Sequence, residues 1–269
     1  MNALSKLFNA NTCGKYVCVG LDTDLNKIPK HLLKAKNPIT EFNKQIIETT
    51  KGYAAAYKIN LAFYECYGKD GLKNLEETLA VIPSDILTIS DGKRGDIGNT
   101  SRMYAKSFFE LFNFDAATLN PLMGKDSLEP FFEYHDKLNF ILALTSNPGS
   151  EDFQKVELKN GEKLFQYTIK KIQEWNINSN CGIVFGATNL QELSDNLHLI
   201  TNLPILIPGI GAQGGDLNLL TKTLFGSDLK SFLVNVSRGI IYKSNNENFA
   251  EEAASELISL NKVIINNKQ

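Results

Sequence analysis

Short apolar runs rich in β-branched residues recur eight times along the chain, separated by longer stretches whose apolar residues follow helical spacing. The runs fall at 15–22, 54–60, 86–93, 114–120, 139–146, 182–188, 204–208 and 232–237, and helical patterns at 39–51, 99–112, 163–175 and 249–264, among others. A strand followed by an amphipathic helix, repeated, predicts a parallel sheet: each crossover needs a helix-length connection, and the helix must bury one face. Eight such units in 269 residues predict an α/β fold, the (β/α)8 TIM barrel. A doubly wound open sheet is the alternative that spacing alone leaves open. No linker rich in Pro, Gly or Ser divides the chain, so residues 1–269 are expected to form a single barrel domain. The longest polar interruption, 147–162, follows the fifth run and reads as an extended functional loop.

Composition bears on function. With 28 Lys+Arg against 30 Asp+Glu and a formal net charge of −2, the chain has no electrostatic footprint for nucleic acid, and no nucleic-acid partner is expected. The apolar runs stay far below the ~18 residues of a membrane span, and the first 16 residues lack the apolar stretch of a signal peptide, so no membrane association is expected and the location reads as cytoplasmic. Cys13, Cys18, Cys66 and Cys181 form no CxxC pair, and His31, His135 and His198 stand alone, so reduced thiols and no metal or other cofactor are expected. Of the 28 basic residues 25 are Lys; Arg94, Arg102 and Arg238 are the only arginines, and each raises the question of its task.

Polar residues gather at the C-terminal ends of the runs, where a barrel places its active site. Run one ends in Gly-Leu-Asp22, run two in Tyr-Lys58-Ile-Asn, run three in Ser-Asp91-Gly-Lys93-Arg-Gly-Asp96. A strand has a side-chain period of two, so Leu87, Ile89, Asp91 and Lys93 share a face that is apolar below and charged above. Carboxylates on either side of a lysine favour its ammonium form, a poor Schiff-base nucleophile but a good proton donor and electrostatic clamp. With Lys58 added, the charges alternate in a way that suits a reaction building negative charge on carbon and quenching it with a proton. A second constellation follows runs seven and eight: Pro208-Gly-Ile-Gly-Ala-Gln213-Gly-Gly-Asp216, and Asn235-Val-Ser-Arg238-Gly239. Glycines admit an anion to backbone N–H groups and arginine offers a bidentate fork, at the barrel position where phosphates commonly bind. The residues thus point to an enzyme that transfers a proton to carbon on a phosphorylated small molecule.

Asp91-Gly-Lys93-Arg-Gly-Asp96-Ile97-Gly-Asn-Thr100 resembles the DxKxxDIxxT pattern of the orotidine 5′-phosphate decarboxylases. Similarity extends in family order through Gly20-Leu-Asp22, Tyr57-Lys58, Leu144-Thr-Ser146-Asn-Pro-Gly, Pro208-Gly-Ile-Gly-Ala-Gln213 and Val236-Ser-Arg238-Gly, and the extended loop resembles the longer branch of the family. The resemblance implies metal-free decarboxylation of orotidine monophosphate to uridine monophosphate in pyrimidine synthesis. Lys93 would donate the proton to C6, with Asp91 beside the departing carboxylate. Asp22 and Lys58 would hold ribose hydroxyls, Ser146 the base edge, and Gln213 and Arg238, with Gly239, the phosphate. Asp96 and Thr100 would reach the partner's ribose across a homodimer interface. Gly92 stands where many relatives carry a small side chain, which implies a looser backbone between the key charges. Arg94 is expected to pair with a nearby carboxylate, and Asn120 is a candidate to face the substrate. Three rivals stay open: a magnesium-dependent sugar-phosphate decarboxylase with the same motif, a Schiff-base aldolase, and a non-catalytic nucleotide-binding barrel.

Overall fold

The computed structural model describes residues 1–200, 202–211 and 214–268. Eight parallel strands close into a barrel in sequence order: β1 Val17–Gly20, β2 Ala56–Asn60, β3 Leu87–Arg94, β4 Ala116–Leu119, β5 Leu138–Leu144, β6 Cys181–Phe185, β7 Ile205–Pro208 and β8 Phe232–Val236. Closure is made by β1 pairing with β8, Cys18 opposite Asn235. The alternative of an open sheet is thereby excluded.

Both faces of the strands are buried, as a parallel barrel requires. Outward residues such as Val17, Tyr57, Ile141, Ile183 and Val234 pack under the helices, while Cys18, Ala56, Leu87, Ile89, Phe140, Val184, Leu206 and Leu233 fill the interior. The helices expected at 39–51, 163–175 and 249–264 are present as Pro38–Thr50, Leu164–Trp175 and Phe249–Asn266. The one expected at 99–112 runs as an α-helix over Gly98–Lys106 and widens into a π-helical turn at Ser107–Leu111.

Two features had no counterpart in the sequence reading. A helix at Ala3–Thr12 seals the N-terminal end of the barrel: Ala3 and Leu7 join the interior core, Lys6 Nζ meets Asp115 Oδ1 at 2.7 Å, and Asn11 exchanges hydrogen bonds with the backbone of Phe232. Asn261, on the helix after β8, accepts from the backbone N–H groups of Tyr16 and Val17 and donates to Tyr53 O at 2.8 Å, which fixes the start of β1 from the far end of the chain. Several strands also stop short of their expected ends, so Asp22 and Ser146 lie in loops beyond β1 and β5. The cause at β5 is visible: the N–H of Thr145 donates to Gln154 Oε1 at 2.7 Å, which leaves no donor for the ladder.

Among the described residues no helix is long and apolar enough to cross a membrane.

Candidate active site

The C-terminal mouth of the barrel holds a cavity of about 510 Å³. Leu142, Val184 and Leu206 from β5, β6 and β7 give it an apolar wall, and Asp22, Lys58, Asp91, Lys93 and Thr118 a charged one.

The charged wall is a chain of contacts. Lys58 Nζ donates to Asp91 Oδ2 and Lys93 Nζ to Asp91 Oδ1, each at 2.6 Å, while Asp22 Oδ1 lies 3.8 Å from Lys58 Nζ. Burial alone would push the Asp91 carboxyl up; the ammoniums of Lys58 and Lys93 overcome it and hold the group well below the usual carboxylate range. At Lys58 burial works against the ammonium, and Asp91 and Asp22 more than compensate, so its pKa rises. The two lysines differ in access. Both line the cavity, but the Lys58 side chain is 6% exposed and the Lys93 side chain 47%, so Lys93 is the more accessible ammonium. Beneath them the Cys18 thiol, fully buried, is pushed up to about 12 by desolvation and stays neutral.

The predicted period-two face is intact, with Leu87 and Ile89 in the interior core and Asp91 and Lys93 above them in contact. The top of the strand is nevertheless irregular: the β3–β4 register shifts between Ser90 and Arg94, and Lys93 has φ 47°, a left-handed conformation costly for a residue with a Cβ. Thr118 compensates. Its hydroxyl accepts from the Lys93 backbone N–H at 3.1 Å and donates to Asp91 Oδ1 at 2.9 Å. Around Gly92 there is little room for the side chain that relatives carry. A Cβ there would stand 2.9 Å from the Phe108 ring and 3.1 Å from Leu61, so the space is already filled.

Ser146, Arg238 and Gly239 all line the cavity. Ser146 gets close because Gly186 lies against it: a Cβ on Gly186 would meet the Ser146 backbone N at 2.6 Å. The extended loop forms a short 3-10 turn at Pro148–Asp152 and sends Gln154 back to the cavity, where its carbonyl oxygen holds Thr145. The three arginines separate by task. Arg94 pairs with Glu65 and stacks over Tyr104 at 5.2 Å, and Arg102 reaches Glu133 at 2.8 Å, whereas the Arg238 side chain has no such partner among the described residues. Gln213 lies outside the described residues. Asp96 and Thr100 do not line the cavity of their own chain: Asp96 accepts from the Ile97 N–H at 2.8 Å, and Thr100 is exposed on the following helix. Asn120 does not face the cavity either; its side chain accepts from Leu122 N at 3.1 Å and caps the short helix Pro121–Met123.

Sequence reasoning missed Thr118 and Gln154, and placed Asn235 in the second constellation without giving it a role. Asn235, 8% exposed, lines the cavity with an Oδ1 that has no partner. A lone asparagine inside an apolar strand was the available signal, since burying an unsatisfied amide is costly.

The model of the orotidine 5′-phosphate decarboxylase / HUMPS family matches residues 15–253. The chain is 47% identical over 259 residues to an orotidine 5′-phosphate decarboxylase of Phocaeicola vulgatus, covering 95% of each. Among solved structures it is similar to an OMP decarboxylase of Leishmania donovani (TM-score 0.81, 35% identity, 97% of this chain and 99% of that one). It is also similar to a UMP synthase of the same organism (TM-score 0.84, 36% identity, 97% of this chain), spanning 57% of that longer chain.

Proposed function

The chain belongs to the orotidine 5′-phosphate decarboxylase / HUMPS family, and from that premise we propose how its site converts orotidine 5′-monophosphate into uridine 5′-monophosphate. The bond between C6 and the carboxylate breaks, CO₂ departs, and the bonding pair stays on C6. Lys93 meets that charge with its ammonium and passes one Nζ proton to C6; the amine left behind recovers a proton from solvent. Stabilisation that grows as charge develops on C6 is the kind that accelerates the chemical step. Asp91 lies beside the departing carboxylate. Asp22 and Lys58 take ribose hydroxyls, Ser146 the base edge, and Gln213, Arg238 and Gly239 the phosphate, whose binding energy helps to orient the reacting end.

The observation that carries this reading is the bridge Lys58–Asp91–Lys93, closed at 2.6 Å on both sides, with both lysines lining the cavity and Lys93 the more exposed. The same bridge supports a reaction without metal. Both Asp91 oxygens are engaged by ammonium groups, and one also by Thr118, so they are poor ligands for a divalent cation. Asp96 and Thr100, just beyond β3 and outside their own cavity, complete the site of a second chain in a homodimer. The protein works as one barrel domain in the cytoplasm, on a small molecule, without nucleic acid or membrane.

The test is ultraviolet absorbance of orotidine monophosphate mixed with the protein in EDTA, beside Lys93→Ala. Conversion in EDTA that vanishes in the variant is expected. Turnover only after magnesium is restored would overturn the metal-free reading, and turnover by Lys93→Ala would overturn the proton donor. Nucleotide binding with no turnover would favour a binding barrel.

A further inference from the structure

Asp22 sits in a loop, yet four consecutive residues, Leu21 to Asp24, are tied down by side chains from elsewhere. Tyr64 donates its hydroxyl to Leu21 O at 3.0 Å, and Thr23 donates to Asn43 Oδ1 at 2.6 Å. The Asn43 amide in turn donates to the hydroxyls of Tyr64 and Thr78. Thr23, Asn43, Tyr64 and Thr78 are completely buried, so this is a fully satisfied polar network inside an apolar shell, which rigidifies what it touches.

The remaining tie comes from across the barrel seam. The Tyr242 hydroxyl donates to Asp22 O at 3.0 Å and accepts from the Asp24 N–H at 2.7 Å. Tyr242 follows the short helix Arg238–Ile241, and its own N–H donates to Arg238 O at 3.2 Å. Its ring is held by Phe42, with centroids 5.9 Å apart. One side chain therefore joins the backbone that carries Arg238 to the backbone that carries Asp22. Asp22 has a reason to need it: its Oδ1 is buried without a hydrogen-bond partner, and Lys58, at 3.8 Å, is too far to supply one.

We propose that Tyr242 is a positioning residue that holds the Asp22 carboxylate, beside Lys58, where it accepts a substrate hydroxyl. The inference rests on the reading that Asp22 and Lys58 take ribose hydroxyls. Tyr242 touches neither substrate nor reacting atoms; it acts through the Asp22 backbone.

The experiment measures competitive inhibition by uridine monophosphate and by its 2′,3′-dideoxy analogue, in the wild type, in Tyr242→Phe and in Asp22→Asn. Tyr242→Phe removes one hydroxyl and keeps the ring. In that variant the preference for the ribonucleotide is expected to shrink by about tenfold, the scale of one well-placed buried hydrogen bond. Binding of the dideoxy compound and the melting temperature should stay near wild type. Equal weakening of both ligands, or no change in their ratio, would overturn the positioning role while Asp22→Asn still abolishes the preference. If Asp22→Asn keeps the preference, the ribose reading itself fails and the inference falls with it.

Discussion

Asp91 has two carboxylate oxygens and three donors upon them: Lys58, Lys93 and the Thr118 hydroxyl. When Lys93 gives its proton to carbon, Asp91 loses one charged partner, and the other two must keep it ionised. Thr118 also holds the left-handed backbone of Lys93, so Thr118→Val, nearly the same shape without the hydroxyl, should lower kcat about tenfold or more with KM within about twofold. Thr118→Ser should restore most of the rate, and steady-state kinetics on the three proteins checks both expectations. The pKa directions fix a stability profile as well. The folded carboxyl of Asp91 is depressed, so its contribution is present above the unfolded value of about 3.9 and fades as pH falls through the lower folded value. The Lys58 ammonium is raised, so its contribution is present below about 10.4 and fades as pH climbs through the higher folded value. Asp91→Asn strands Lys58 against a neutral amide and should cost about 3 kcal/mol. Urea unfolding should show that difference flat between about pH 5 and about pH 9 and shrinking in acid below about pH 4. Asp91 and Lys93 were legible because they continue the period-two face of an apolar run, and Asp22 and Lys58 because each places a charge at the end of one. Thr118 was not, because a threonine in an apolar run looks like any β-branched strand filler.

At the scale of elements, the eight strands and four named helices followed from apolar spacing, because burial on both faces of a strand and one face of a helix leaves different periods in the chain. Their ends did not follow, since an end is decided by what competes for a backbone donor. At Thr145 the competitor is Gln154, nine residues on in the extended loop, and no local pattern announces it. The helix Ala3–Thr12 escaped for a related reason: its packing partner is the bottom of the barrel, contributed by segments spread over the whole chain. Leu7, fully buried there, is the point at which to test it. Leu7→Ala should destabilise the protein by about 2–4 kcal/mol in urea unfolding, with kcat/KM of the folded protein unchanged, because the helix closes the end opposite the site.

For the whole molecule, the closed ring of strands brings β1 and β3 to one cavity wall with β8 beside them, which is why residues as far apart as Asp22 and Arg238 share a site. That gathering was legible once eight units were counted. Completion of the site by a second chain is the step to test. Lys93→Ala and Asp96→Ala chains are each expected to be inactive alone. Unfolded together, refolded at equal amounts and assayed, they should recover about a quarter of wild-type activity, since half of random dimers are mixed and each mixed dimer has one intact site. No recovery would show that Asp96 serves its own chain. The seam itself has a consequence in time. β1 is the first strand of the barrel to be made, yet its neighbour β8 and the Asn261 amide that pins its entrance are made more than two hundred residues later. Until then the growing chain carries two open strand edges and an uncovered interior, so its solubility during synthesis depends on pace and on chaperones rather than on the stability of the finished barrel.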